Sequence, residues 1–131
     1  MKHIILIIAI LLLPTKAFSN ENELQKRLIA SALEEYGKVA GAWYLNEKCN
    51  YIKNEEKSKF KDNVALITVA LAKDLASPKL LYPIQNSAKN IIEKPKYSDC
   101  KGKTKDIFSY GYNHSINWSN QIRILQQKQS D

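Results

Sequence analysis

The pattern that most limits the fold of this chain is the recurrence of apolar residues three and four positions apart, from about residue 21 to residue 127. This spacing matches the 3.6-residue period of an α-helix and differs from the two-residue alternation of a half-buried strand. Glycine and proline, which interrupt helices, occur only four times each among 131 residues. The sequence therefore predicts an all-α domain.

Four amphipathic helices are expected, over residues 21–52, 55–76, 77–95 and 98–127. Asn54 is the expected N-cap of the second helix and Ser77 that of the third. Pro83 should either kink the third helix or delay its regular part. Gly37 and Gly41 should let a neighbouring helix approach the first one closely. The last six residues should fray. The apolar stripe of the fourth helix is predicted to comprise Ile107, Tyr110, Gly111, His114, Trp118, Ile122 and Leu125.

The N-terminus has the features of a cleavable secretory signal peptide. Lys2 precedes an apolar run over residues 4–13, Pro14 ends that run, and Ala17 and Ser19 give the small-x-small pattern that signal peptidase recognises. Ten apolar residues are too few to cross about 30 Å of hydrocarbon as a helix. Cleavage is expected after Ser19, or alternatively after Ala17, which leaves residues 20–131 as one helical domain. Because no cysteine lies near the cleavage site and no later apolar run is long, neither a lipid anchor nor a membrane span is expected.

Export places the two cysteines in an oxidising compartment, the periplasm or the extracellular space, where a disulfide between Cys49 and Cys100 is favoured. In an antiparallel, up-down-up-down four-helix bundle, the end of helix one and the start of helix four meet at the same pole. The two cysteines lie at these two positions. The disulfide and the bundle topology therefore support each other.

Cofactor chemistry and catalysis are not expected. After cleavage one histidine remains, His114, with no methionine, no Cys-x-x-Cys-His and no Glu-x-x-His pair, so neither metal nor haem is predicted. His114 and Ser115 are adjacent on a helix and would point about 100° apart, which does not suit a nucleophile and its base. Glu34 and Glu35 are expected on a solvated face. A hydrolase would need a deep polar pocket that holds His114 with two carboxylates.

Charge is the most suggestive feature. Removal of residues 1–19 takes away Lys2 and Lys16, which leaves eighteen basic against thirteen acidic residues and a net charge of +5. Acidic residues are interspersed among the lysines near the cysteines, so that this pole is basic but mixed. Six lysines are the predicted contacts for an anionic partner: Lys48, Lys53, Lys57, Lys96, Lys101 and Lys103. Tyr44 and Tyr112 lie off the apolar stripes and, if exposed, would be aromatic interface anchors.

These features predict a small exported, non-catalytic binding protein that acts through its surface on an unknown protein or an anionic envelope component. Nucleic acid is not an expected partner, because the protein is exported and has no aromatic and basic stacking platform. In size, signal peptide and two well-separated cysteines, the chain resembles small periplasmic helical proteins, including acid-stress chaperones and immunity proteins against secreted toxins, although it shares no residue motif with them. A periplasmic acid chaperone is the first alternative, and an envelope-acting hydrolase is the second.

Overall fold

The structure, a computed structural model, describes residues 21–75 and 78–130. Within these ranges it has four α-helices and no strand: α1 (Glu21–Cys49), α2 (Asn54–Asp74), α3 (Tyr82–Ile92) and α4 (Lys103–Ser130). Short 3-10 helices precede α3, over Pro78–Leu81, and follow it, over Pro95–Tyr97. The predicted all-α class is confirmed. The predicted signal peptide and the predicted Ser77 cap lie outside the described residues.

Helix α1 contacts each of the other helices. It packs most extensively against α4 and α3, while α2 packs mainly against α4 and less against α1. The side chains that α1 buries, including Leu28, Ala32, Tyr36 and Val39, are spaced four, four and three residues apart. This spacing aligns them on one face of the helix. The packing of α1 therefore follows from the apolar periodicity of its sequence.

The core consists of two apolar clusters. One is built around Tyr36, Ile67, Leu71, Trp118 and Ile122. The other lies nearer the disulfide and is built around Ala42, Leu45, Ile52, Phe60, Ile92 and Phe108. Full burial of one large aliphatic or aromatic side chain stabilises a fold by about 1.5–3 kcal/mol relative to an exposed position. Each cluster therefore contributes substantially to holding the helices together.

A chain of hydrogen bonds ties three helices together inside the first cluster. The Gln85 side-chain amide donates to the Tyr36 hydroxyl over 2.7 Å. The Tyr36 hydroxyl lies 3.0 Å from Thr68 Oγ1, which itself donates to the Val64 carbonyl over 2.7 Å. Because the Thr68 proton is used towards Val64, Tyr36 must be the donor to Thr68. The fully buried tyrosine hydroxyl thus both accepts and donates, which offsets the cost of removing it from water.

The buried face of α4 differs from the predicted stripe. Ile107 and Tyr110 are 38% and 50% exposed, whereas Phe108, Ser115 and Ser119 are buried. The two serines can be buried because each hydroxyl donates to a carbonyl of the preceding turn, Ser115 over 2.7 Å and Ser119 over 3.0 Å. Apolar periodicity does not reveal small buried polar residues of this kind, so the predicted stripe lies partly to one side of the true buried face.

The glycine that permits close helix packing is Gly111 on α4. A Cβ atom at this position would overlap the Lys38 backbone carbonyl and would lie 2.6 Å from the Ala42 Cβ atom, both on α1. A Cβ atom at Gly41 would have no neighbour within 4 Å, and one at Gly37 would make an ordinary 3.5 Å contact with Ile84. The prediction that Gly37 and Gly41 allow the close approach is therefore wrong.

The helix ends agree with the predictions only in part. Lys53, not Asn54, occupies the N-cap position of α2, and its side chain makes no capping hydrogen bond. Asn54 is the first residue of the helix and has a left-handed φ of 54°, which asparagine tolerates better than most residues. Pro83 delays the regular part of the third segment as expected, since α3 begins only at Tyr82. Helix α4 continues to Ser130, three residues beyond its predicted end at residue 127.

Candidate functional site

The disulfide joins Cys49, the last residue of α1, to Cys100, which lies three residues before α4. Their Cα atoms are 5.6 Å apart, within the range that a disulfide requires. The Tyr51 hydroxyl donates to the Cys100 carbonyl over 2.7 Å. The predicted pairing is confirmed, and the hydrogen bond fixes the two chain segments against each other beside it.

Asn46 holds the connection between α1 and α2. Its side chain is fully buried, accepts a hydrogen bond from the Ile52 amide over 2.9 Å and donates to the Ile52 carbonyl over 3.2 Å. This pair of bonds closes the loop, in which Asn50 has a left-handed φ of 53°. The loop that carries Lys53 is thereby fixed to the buried Asn46 side chain at the end of α1.

We call the surface around the disulfide the disulfide pole. The disulfide brings to it two groups of lysines that are about fifty residues apart in the sequence, one around the end of α1 and the start of α2, the other beside Cys100. Apart from Lys57, which is half-buried, the predicted contact lysines are exposed. The six predicted contact lysines are Lys48, Lys53, Lys57, Lys96, Lys101 and Lys103.

Three of these lysines have local contacts. Lys57 Nζ lies 3.4 Å from a carboxylate oxygen of Glu47 and 5.9 Å from the centre of the Trp43 ring. Lys48 donates to the Ile92 carbonyl over 3.2 Å. Lys96 Nζ lies 5.1 Å from the centre of the ring of Tyr97, its sequence neighbour. Each lysine is thus held near the pole.

Acidic residues share this surface, but one of them has a structural partner of its own. Asp99 Oδ1 accepts from the Lys101 amide and from the Thr104 hydroxyl, each over 3.3 Å, just before α4 begins. A carboxylate at this place favours the helix because the N-terminal amides carry partial positive charge. Asp99 therefore supports the start of α4 as well as contributing negative charge.

The two tyrosines predicted as interface anchors are only partly exposed. Tyr44 and Tyr112 both pack against the second core cluster. The Tyr112 ring stacks on Phe108 at 5.5 Å and meets the edge of Phe60 at 5.2 Å. Tyr82 is instead a strongly exposed tyrosine, with 58% of its surface accessible.

An open apolar groove, which was not predicted from the sequence, lies between α1 and α3. It has a volume of about 660 Å³. One face of α1 and one face of α3 form most of it, and Tyr97 and the first turn of α4 extend it. We call it the α1–α3 groove, with Leu33, Gly37, Gly41, Ile84, Ile91 and Ile107 among its lining residues.

The sequence contains one sign of this groove. Gly37 and Gly41 are four residues apart on α1, and each lacks the side chain that would otherwise fill the space above the helix. At Gly41 that space is open. The glycine pair, which looked like a helix-packing feature, contributes instead to an uncovered apolar surface.

A third cluster surrounds His114, which is largely buried between α1 and α4. His114 Nε2 lies 3.3 Å from Glu35 Oε2 but is not aligned for a hydrogen bond. Glu35 also accepts from Lys38 over 3.0 Å and from the Tyr110 hydroxyl over 3.2 Å. Burial lowers the pKa of His114 below its usual value, while the Glu35 carboxylate acts in the opposite direction and Lys38 adds to the lowering. The histidine thus favours its neutral form more than a solvent-exposed histidine does.

One carboxylate, that of Glu35, lies within 4 Å of this histidine. The neighbouring Glu34 carboxylate lies 3.9 Å from Lys38 instead. Across residues 21–75 and 78–130, no three potential metal ligands among histidine, cysteine, aspartate and glutamate come together. No helix in this part of the chain is both long and apolar enough to cross a membrane.

Comparison with known proteins gives no further guide to the disulfide pole, the α1–α3 groove or the surroundings of His114. No family model, no curated protein and no solved structure matches the chain.

Proposed function

We propose that the mature chain is a small exported, non-catalytic binding protein that holds an anionic partner at the disulfide pole. The observation that carries the proposal is the juxtaposition made by the disulfide. Lysines near Cys49 and lysines near Cys100 lie on one surface because the Cα atoms of the two cysteines are only 5.6 Å apart. A surface with one dominant sign of charge attracts ligands of the opposite sign over about one Debye length, and it selects among partners by complementarity.

Export is part of the proposal. The disulfide supports it, because such bonds persist mainly in oxidising compartments. The sequence pattern over residues 1–19 supports it independently, since it has the charge, apolar run and small residues of a cleavable signal. The anionic partner would then be an acidic protein surface or a lipid headgroup of the envelope.

The helix arrangement proposed for this protein is the antiparallel, up-down-up-down bundle. Two contacts between α1 and α2 support it: Tyr36 meets Thr68, and Trp43 meets Phe60 with ring centres 5.4 Å apart. From the first contact to the second, the residue number on α1 rises from 36 to 43 while that on α2 falls from 68 to 60. The two helices therefore run in opposite directions. The same arrangement places the end of α1 beside the start of α4, where the disulfide lies.

The test uses two variants with the same change in charge. In the pole variant, Lys53, Lys101 and Lys103 are each replaced by glutamate. In the control variant, Lys26, Lys79 and Lys128, which lie outside the disulfide pole, are replaced in the same way. The wild type and both variants are immobilised and exposed to an envelope extract at low and high salt.

We expect a defined component to bind the wild type and the control variant and to be lost from the pole variant. Equal losses from the two variants would mean that net charge alone matters, and would refute the role of the pole. Recovery of only undefined anionic material that high salt removes would refute a specific partner.

The buried His114 favours a second candidate function, that of an acid-responsive chaperone. Protonation of a buried histidine costs free energy in the folded state, so that acid would loosen the contact between α1 and α4. A titration with a dye that binds apolar surfaces, from pH 7 to pH 2, separates the two functions. A chaperone of this type would expose apolar surface and bind dye as pH falls, whereas the proposed binding protein stays compact.

A further inference from the structure

We propose that a pocket between α2 and α4 binds the carboxylate group of a ligand through Arg123 and Asn63. We call it the α2–α4 pocket, and its lining comes from residues between 59 and 63 of α2 and between 112 and 123 of α4. None of the six lysines assigned to the disulfide pole lines it. The inference therefore goes beyond the proposed function and does not depend on it.

The guanidinium of Arg123 is held in place by three neutral oxygen atoms. Its Nη1 donates to the Ser119 hydroxyl and to Asn120 Oδ1, each over 3.3 Å, and its Nη2 donates to Asn63 Oδ1 over 2.9 Å. Ser119 can accept because its own proton is donated to the Ile116 carbonyl. Within residues 21–75 and 78–130, no carboxylate oxygen lies within 4 Å of this guanidinium. The positive charge is thus oriented by hydrogen bonds without being compensated by an ion pair.

Arg123 also keeps donors for a ligand. Its Nε–H and one hydrogen of Nη2 have no acceptor in the part of the chain that the structure describes. These two N–H groups belong to a planar fork, which matches the two oxygens of a carboxylate.

Asn63 adds a second group of donors. Because arginine only donates, the Asn63 atom that it meets must be Oδ1, which leaves both Nδ2 hydrogens for another acceptor. The residue is only 9% exposed, and among the described residues Nδ2 has no acceptor. It is also not one of the fully enclosed polar atoms. Since Asn63 lines the α2–α4 pocket, its free donors are reached from that pocket.

Donors that lack acceptors fit a ligand group that only accepts hydrogen bonds. Of the other charged lining residues, Lys59 is paired with Glu55 at 3.2 Å. Asp62 also lines the pocket, but it is exposed and makes no contact with the Arg123 guanidinium within 4 Å. Its charge disfavours a doubly charged group such as phosphate more than a singly charged one. The pocket therefore favours a carboxylate.

The wall beside these donors is partly apolar. Ile116 and Tyr112 are half-buried lining residues, and the Tyr112 ring is fixed against Phe108 at 5.5 Å. A carboxylate on an aromatic ring is therefore a suitable probe. Both a free organic acid and the C-terminus of a peptide carry the carboxylate group, and the experiment below separates these two sources.

The first measurement is a ¹H–¹⁵N NMR titration of the purified, disulfide-bonded protein at pH 7 and constant ionic strength. The probes are benzoate, its neutral counterpart benzamide, and inorganic phosphate. Arg27 and Arg123 are the two arginines of the chain, so that an Arg123→Lys variant identifies the Arg123 Nε–H signal. We expect benzoate to shift this signal and that of the Asn63 side-chain amide until both saturate. Benzamide should bind at least about tenfold more weakly, because hydrogen bonds to a charged group are the stronger ones.

The second measurement repeats the benzoate titration with variants. Asn63→Asp keeps an acceptor oxygen for Arg123 but replaces the free donors by a second carboxylate oxygen. It should leave the link between α2 and α4 intact and weaken benzoate binding at least about tenfold. Asn117→Asp is the matched control, because Asn117 is exposed on α4 and does not line the pocket. Arg123→Lys, which retains the charge without the fork, replaces Asn63→Asp if circular dichroism shows the latter to be unfolded.

The proposal is overturned if benzoate shifts neither the Arg123 nor the Asn63 signal, or if benzamide or phosphate binds as tightly as benzoate. It is also overturned if Asn117→Asp weakens binding as much as Asn63→Asp, since net charge alone would then govern it. Hippurate, in which a peptide group precedes the carboxylate, separates the two sources of the ligand. Tighter binding of hippurate than of benzoate assigns the site to a peptide C-terminus, and equal or weaker binding assigns it to a free organic acid. Either result supports a carboxylate site.

Discussion

The substitution Gly111→Ala tests whether α1 and α4 are packed as closely as the structure shows. The new Cβ atom would overlap the Lys38 carbonyl and would lie 2.6 Å from the Ala42 Cβ atom, both of which are held by α1. Neither atom is at the end of a flexible side chain, so the two helices must separate. Overpacking of this kind costs about 1–3 kcal/mol. Replacing glycine by alanine inside a helix contributes about 1 kcal/mol in the opposite direction.

Gly41→Ala is the matched control, because it makes the same chemical change in a helix where the new Cβ atom has no neighbour within 4 Å. We expect Gly111→Ala to lower the free energy of unfolding by up to about 2 kcal/mol. Gly41→Ala should raise it by up to about 1 kcal/mol. Both variants share the gain from alanine, so they differ by the overpacking cost of about 1–3 kcal/mol. With a urea m-value of about 1.5 kcal/mol/M, the two midpoints should differ by roughly 0.7–2 M.

The assay is urea unfolding followed by far-ultraviolet circular dichroism, with the m-value fitted for each protein. If Gly111→Ala unfolds at or above the wild-type midpoint with an unchanged m-value, the close contact between α1 and α4 is wrong. If Gly41→Ala is destabilised as much as Gly111→Ala, the open space above Gly41 is wrong.

Three further predictions concern stability. Tyr36→Phe leaves the Gln85 amide without its buried acceptor and should lower the free energy of unfolding by about 1–2 kcal/mol in urea unfolding. Because burial lowers the pKa of His114 in the folded state, its contribution is fully present above about pH 6.5 and is lost as pH falls. His114→Gln should therefore flatten the fall in thermal midpoint between pH 7 and pH 5. Replacing both Cys49 and Cys100 by serine should cost about 4 kcal/mol by the chain-entropy model, measured as a lower urea midpoint.

Each of these predictions has a result that contradicts it. An unchanged midpoint for Tyr36→Phe would show that Gln85 finds another acceptor, and Tyr97→Phe is a matched control because the Tyr97 ring is only half-buried. A steeper pH dependence in His114→Gln would mean that the neighbouring carboxylate outweighs burial. Equal stability with and without the two cysteines would show that the disulfide does not hold the helices together.

The fold class and the disulfide were predictable because each depends on a local or countable property of the sequence. The period of the apolar residues indicates helices, and two cysteines in one chain allow a single internal pairing. The delayed start of α3 was also predictable, since Pro83 cannot donate a backbone hydrogen bond.

The errors concern properties that depend on packing between helices. Ser115 and Ser119 are buried because they satisfy their own hydroxyl groups, which apolarity alone does not reveal. The roles of Gly41 and Gly111 are distinguished by what the opposite helix places above each glycine. The groove was missed for the same reason, because its lining residues belong to helices whose relative position the sequence does not specify.

The central claim of this account is that the chain is an exported domain whose two cysteines join the ends of α1 and α4. Intact-mass spectrometry of the protein, recovered from the periplasm after expression with its own N-terminus, tests it most directly. We expect the mass of residues 20–131, or of residues 18–131, in either case less the two hydrogens that a disulfide removes. A mass that includes residue 1, or one that retains both thiol hydrogens, would contradict the claim.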